Sequence, residues 1–93
     1  MKQVIKIKFY HDPGHGWYAV KRQVIVDLQI DHEVSSYSYQ RGETVYLEED
    51  CDAGLLFEAL ERQGIKAEVE STYHATTPIR GYDCYYHPSM RAA

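Results

Sequence analysis

The sequence predicts an α+β domain: a mostly antiparallel sheet of about five strands with two helices on one face, in the order β-β-α-β-β-α-β. Three observations carry this. Several stretches alternate apolar and polar residues and are joined by short glycine-bearing turns. One stretch, from Ala53 to Gln63, has its apolar residues at helical spacing. And 93 residues with 44% hydrophobic content make one domain of 1–93, enough for one core without staples.

The elements follow in order. In Val4–Tyr10, Ile5, Ile7 and Phe9 share one face and Lys6, Lys8 and Tyr10 the other, the pattern of a half-buried strand. His11-Asp12-Pro13-Gly14-His15-Gly16 carries type II turn chemistry, Pro second and Gly third, with the glycine expected at positive φ. Trp17–Val20 returns as the second strand. Lys21–Ile30 holds two signals: its β-branched residues favour a strand, while Val20, Val24, Ile25 and Leu28 sit at helical spacing. The reading adopted is a short helix, with Asp31-His32-Glu33 as its exit. Val34–Gln40 and Thr44–Glu48 form a hairpin around Arg41-Gly42-Glu43, and Tyr37 and Tyr39 share a strand face. Asp50 is the expected N-cap of a helix running to about Gln63, with Ala53, Leu56, Phe57 and Leu60 inward and Gly64 as the C′ stop. Ile65–Thr72 alternates again, Ile79–His87 is a candidate edge strand, and 88–93 is expected to fray.

A net charge of −4 argues against direct binding to a nucleic-acid backbone, which needs a basic footprint. It suits solubility, or a basic protein partner. Two cysteines, Cys51 and Cys84, allow one disulfide at most. No signal peptide or membrane-length apolar run is visible, so a cytoplasmic protein with reduced thiols is expected.

Three constellations stand out. Glu48, Glu49, Asp50 and Asp52 crowd a strand-to-helix junction, where carboxylates complement a helix N-terminus; four exceed that need, which points to an acidic contact patch. Cys51 lies among them; the flanking acids argue against a reactive thiolate, and a small buried packing residue is expected. His11, Asp12, His15, Trp17 and Arg80 form an alternative ligand-binding set. His11 and His15 with Cys84 and His87 offer four ligand residues, but no recognised zinc framework, so no metal is assigned. Lastly, nine tyrosines against one Trp and two Phe put Tyr37, Tyr39 and Tyr46, with Tyr10 and Tyr18, on an expected open sheet face suited to a protein contact or to stacking flat rings.

The segments HDPGHGW, SSYSYQRGETVYLEEDCDAG and Ile79-Arg80 resemble those of a family of small bacteriophage- and plasmid-encoded proteins, over roughly Lys8 to Arg80. The resemblance implies a mobile element and a bacterial host cytoplasm, and assigns no residue a role.

The leading expectation is thus a small acidic binding protein without catalytic residues or cofactor. By analogy with small phage proteins it would inhibit a host protein, such as a nucleic-acid-handling defence complex in the anti-CRISPR manner. Glu48, Glu49, Asp50 and Asp52 would meet basic residues, and Tyr37, Tyr39 and Tyr46 would anchor. The alternatives are a nucleotide-like ligand bound or hydrolysed at His11, Asp12, His15, Trp17 and Arg80, or a homodimeric accessory protein joined through the tyrosine face.

Overall fold

The computed structural model describes residues 3–87. They form a six-stranded mixed sheet with two helices: β1 (Gln3–His11), β2 (Gly16–Lys21), α1 (Arg22–Asp27), β3 (Tyr39–Arg41), β4 (Thr44–Glu48), α2 (Ala53–Arg62), β5 (Ile65–Tyr73) and β6 (Asp83–Cys84), with a 3₁₀ turn at Pro78–Gly81. The strand order is β5-β1-β2-β4-β3-β6.

The chain builds two β-β-α units, and their second strands, β2 and β4, meet antiparallel at the centre of the sheet. All neighbouring pairs are antiparallel except β1 and β5. The expectation of a mostly antiparallel sheet holds, with this one parallel pair added. Its cause is topological. β1 and β4 both run against β2, and α2 carries the chain back to the starting end of β4, so β5 enters parallel to β1.

The alternating faces follow from register. Ile7, Val20, Val45 and Leu47 point to one side and bury against Ile25 of α1 and Leu56, Ala59 and Leu60 of α2. Each such side chain contributes roughly 1.5–3 kcal/mol by leaving water. In Lys21–Ile30 helix wins over strand because Ile25 is fully buried and Val24 and Leu28 pack on the same core. The helix ends where Gln29 takes φ 61°. Arg22 ties its start to the second hairpin, donating from Nη1 to Gln40 Oε1 (3.0 Å) and from Nη2 to the Gly42 carbonyl (2.9 Å). The β3–β4 connection is two residues long, with Gly42 at φ 58°; Gly64 closes α2 at φ 70°.

Four local expectations are corrected. Gly14 is not among the positive-φ residues, so the first turn is not type II. Instead Asp12 Oδ1 accepts the N–H groups of Gly14 and His15, both at 2.9 Å, and fixes the turn from its side chain. Val34–Gln40 is not a strand over most of its length: β3 begins at Tyr39, because Ser35 and Ser38 bond to Asp52 rather than to a sheet ladder. Tyr37 therefore lies in a loop and shares no strand face with Tyr39. The N-cap of α2 is Asp52, not Asp50, and makes no capping bond, since its carboxylate is engaged by those serines. Ile79–His87 splits into the 3₁₀ turn and a two-residue β6. The expected frayed stretch 88–93 lies outside the described residues.

Candidate functional site

Two sequence stretches read separately, His11–Trp17 and Glu48–Asp52, meet at one end of the sheet. The β2–β4 register sets Trp17 opposite Glu48, and the Glu49 N–H donates to the Gly16 carbonyl at 3.0 Å. Gly16 suits this approach: a Cβ there would stand 2.2 Å from Phe9 Cζ. The third contributor comes from far along the chain. Arg80 donates from Nε and Nη2 to the two oxygens of Asp12, both at 2.8 Å, and its guanidinium lies 5.3 Å from the Trp17 ring centre. Thr77 Oγ1 adds a 3.3 Å bond to Asp12. The Arg80 hydrogen bond is the main reason the Asp12 carboxyl is held far below the usual carboxylate range. The N–H groups of His15 and Gly14 assist and burial opposes. The Pro78–Gly81 turn is thereby strapped across the sheet face away from the helices. Ile79 of the turn and Trp17 of the sheet are both 2% exposed.

Of the proposed ligand set, Asp12, His15, Trp17 and Arg80 are brought together, with the His15 ring 6.1 Å from Trp17. Asp12 and Arg80, however, spend their hydrogen bonds on each other and brace the strap. His11 stands apart. It faces the helix side, stacked on Phe9 at 5.3 Å and edge-on to Tyr73.

The acidic cluster divides. Asp52 is 2% exposed and accepts from Ser35 N–H (3.1 Å), Ser35 Oγ (2.7 Å) and Ser38 Oγ. Glu48 is 6% exposed and accepts the Asp50 N–H through both oxygens, at 2.8 and 2.9 Å. Glu49 and Asp50 are the exposed pair. Cys51 is not the buried packing residue expected but an exposed free thiol, because it precedes the inward face of α2; desolvation together with Glu48, Asp52 and Asp50 raises its pKa, which disfavours a reactive thiolate. His15, Glu48 and Asp50 each present one ligand-type atom within 4.8 Å of the others. The four-ligand set His11, His15, Cys84 and His87 does not assemble: β6, with Cys84, is four strands from β1, roughly 19 Å at the usual strand spacing. His87 bonds Asp31 at 2.7 Å.

The tyrosines also divide. Tyr37 is 69% exposed in its loop. Tyr18 faces the helices, edge-on to Phe57 at 5.0 Å. Tyr10, Tyr39 and Tyr46 do share the opposite face, but the strap covers part of it: Tyr82 lies 5.2 Å from Tyr46, and Tyr39 meets Trp17 edge-on at 6.0 Å. What remains open is a groove of about 440 Å³ lined by Lys6, Lys8, Tyr10, Ala19, Lys21 and Tyr46, among others. Ala19 is its floor, placed by register between Lys8 on β1 and Tyr46 on β4. Glu68 and Glu70 stand opposite Lys6 and Lys8 on the β5 side, away from Ala19.

Sequence reasoning missed this groove, though Lys6, Lys8 and Tyr10 were placed correctly on the outward face of β1. The missing signal was the β1–β2–β4 register. It also missed Tyr85, 1% exposed in the main core with its hydroxyl donating to the Asp31 carbonyl, and Ile79 within the strap.

Comparison of the chain with family models, curated proteins and solved structures finds no match. No helix among the described residues is long and apolar enough to cross a membrane.

Proposed function

We propose that the protein is a small binding protein that takes an anionic, ring-bearing ligand of nucleotide type in the Lys6–Tyr10–Tyr46 groove. One observation carries the reading: three lysines and two tyrosines line one groove with Ala19, whose side chain is only a methyl group, between Lys8 and Tyr46. The lysines suit phosphate, the rings suit a base, and Ala19 leaves room for the ligand to approach the sheet. The volume falls within the usual range for small-molecule sites. The chain's net charge of −4 opposes long-range attraction of an anion, so local contacts have to supply the affinity.

The test is amide chemical-shift titration with mononucleotides, inorganic phosphate and single-stranded oligonucleotides at two salt concentrations. Mononucleotides are expected to shift amides of β1, β2 and β4. Tyr46→Ala should weaken binding about fivefold or more, since stacking is worth roughly 1–3 kcal/mol per base. Lys8→Glu should weaken it and reduce the salt dependence. An unchanged sheet face at millimolar nucleotide overturns the reading. Oligonucleotides binding much more tightly than mononucleotides would identify a strand as the ligand's source.

A second reading keeps the host-protein partner, now carried by Glu49, Asp50 and Tyr37. Its support is that these three are exposed while Glu48 and Asp52 are buried. Charge reversal at Glu49 should slow association with such a partner and leave nucleotide shifts unchanged.

A further inference from the structure

We propose that His15, Glu48 and Asp50 bind a first-row divalent metal ion, of the Zn²⁺ or Mn²⁺ type, at the end of the sheet beyond the groove. The three side chains come from two segments, the β1–β2 loop and the exit of β4, and their ligand-type atoms lie within 4.8 Å of one another. Metal–ligand distances of about 2.0–2.2 Å put two ligand atoms at most about 4.4 Å apart, so small rotamer shifts of the exposed His15 and Asp50 side chains bring all three onto one ion.

The frame is built before any ion arrives. Asp12 fixes the backbone of His15, Arg80 holds Asp12, and the Glu49 N–H to Gly16 carbonyl bond joins the two segments. Glu48 is held by the Asp50 N–H. Ligands on a rigid, hydrogen-bonded frame lose little entropy on binding.

Two independent observations point to a missing occupant. First, Glu48 is 6% exposed, yet the one donor it has is the Asp50 amide. A carboxylate has about four acceptor sites, and a buried charge calls for a counter-charge. Among the described residues the ion pairs are Arg80–Asp12 and those of Asp31 with His32 and His87; none serves Glu48. Second, the Trp17 indole N–H is buried and has no hydrogen-bond acceptor. Trp17 stands directly opposite Glu48 in the register, with its ring beside that of His15.

The donor set selects the ion class. One imidazole nitrogen with two carboxylates suits Zn²⁺, Mn²⁺ and their first-row neighbours, whereas Mg²⁺ and Ca²⁺ favour all-oxygen shells. Three protein ligands leave positions for water. His15 and Asp50 are exposed, so an ion has an open route in.

The experiment is titration of the full chain with Zn²⁺ and Mn²⁺, against Mg²⁺ and Ca²⁺, read by calorimetry and by histidine ring resonances. Mn²⁺ should broaden the His15 signals and leave His32 sharp. Zn²⁺ should bind one per chain, at least tenfold more tightly than Mg²⁺. His15→Ala and Asp50→Asn are both surface changes, and each should weaken Zn²⁺ binding tenfold or more, with His11→Ala unchanged. Glu48→Gln should do the same. Where that variant fails to fold, the two surface variants decide the matter. Zn²⁺ binding unaltered by His15→Ala, or no binding at millimolar ion, overturns the proposal.

Discussion

Asp52→Ala should destabilise the protein by about 3–5 kcal/mol, although on sequence grounds Asp52 belongs to a surface acid cluster. The magnitude comes from its bonds. The carboxylate accepts Ser35 N–H, Ser35 Oγ and Ser38 Oγ at 2% exposure. Ser38, itself fully buried, accepts the Glu48 N–H at 3.0 Å, and its carbonyl accepts the Tyr85 N–H at 2.8 Å. A hydrogen bond to a charged group is worth roughly 1.5–3 kcal/mol net, and bonds sharing one acceptor do not add fully. The loss is a large share of the roughly 5–15 kcal/mol a domain of this size holds. It should lower Tm by about 12–40 °C, at the usual 4–8 °C per kcal/mol. Asp52→Asn keeps one acceptor oxygen and should lose about half as much. Glu49→Gln, an exposed control, should stay within about 0.5 kcal/mol. Urea unfolding followed by the fluorescence of the buried Trp17 measures all three. If Asp52→Ala stays within about 1 kcal/mol of the parent, the serine network does not hold the loop before β3, and the acid cluster returns to being a free surface.

Two glycines should respond in opposite senses, as thermal unfolding will show. Gly16→Ala forces a Cβ to 2.2 Å from Phe9 Cζ, and Phe9 is held between His11 and Tyr18, so a loss of about 1–3 kcal/mol is expected. Gly54→Ala, on α2 with nothing within 4 Å of the new Cβ, should gain up to about 1 kcal/mol. The Asp12–Arg80 pair makes stability depend on acid pH. The Asp12 carboxyl is depressed in the folded state, so its contribution is complete above the unfolded pKa near 4 and drains away as pH falls from about 5. Arg80→Met should therefore flatten the fall in urea midpoint between about pH 5 and pH 2; identical slopes for the two proteins would contradict the strap.

Much of the architecture was legible in the chain because it rests on short-range rules. The alternation of Ile5, Ile7 and Phe9 with Lys6, Lys8 and Tyr10 sets two faces whatever the partner strands are. Gly42 and Gly64 mark the second hairpin and the end of α2, since both conformations carry positive φ. Leu56, Ala59 and Leu60 reach the core as helical spacing requires. The site was legible only in parts. Glu48, Asp50 and Asp52 read alike in sequence, yet Asp52 turns inward to two serines that no local pattern links to it. Arg80 and Asp12 are 68 residues apart, and their pairing depends on where the 3₁₀ turn lands. His15 reaches Glu48 and Asp50 only because β2 and β4 pair in one register. The sequence by itself determined β1, β2, β4, α2 and β5, and which side of β1, β4 and α2 faces inward, because those follow from periodicities of two and 3.6. Tertiary structure alone decided which carboxylates remained available, which tyrosines were covered and where the lysine groove opened, because those depend on contacts between strands that the chain order does not place side by side.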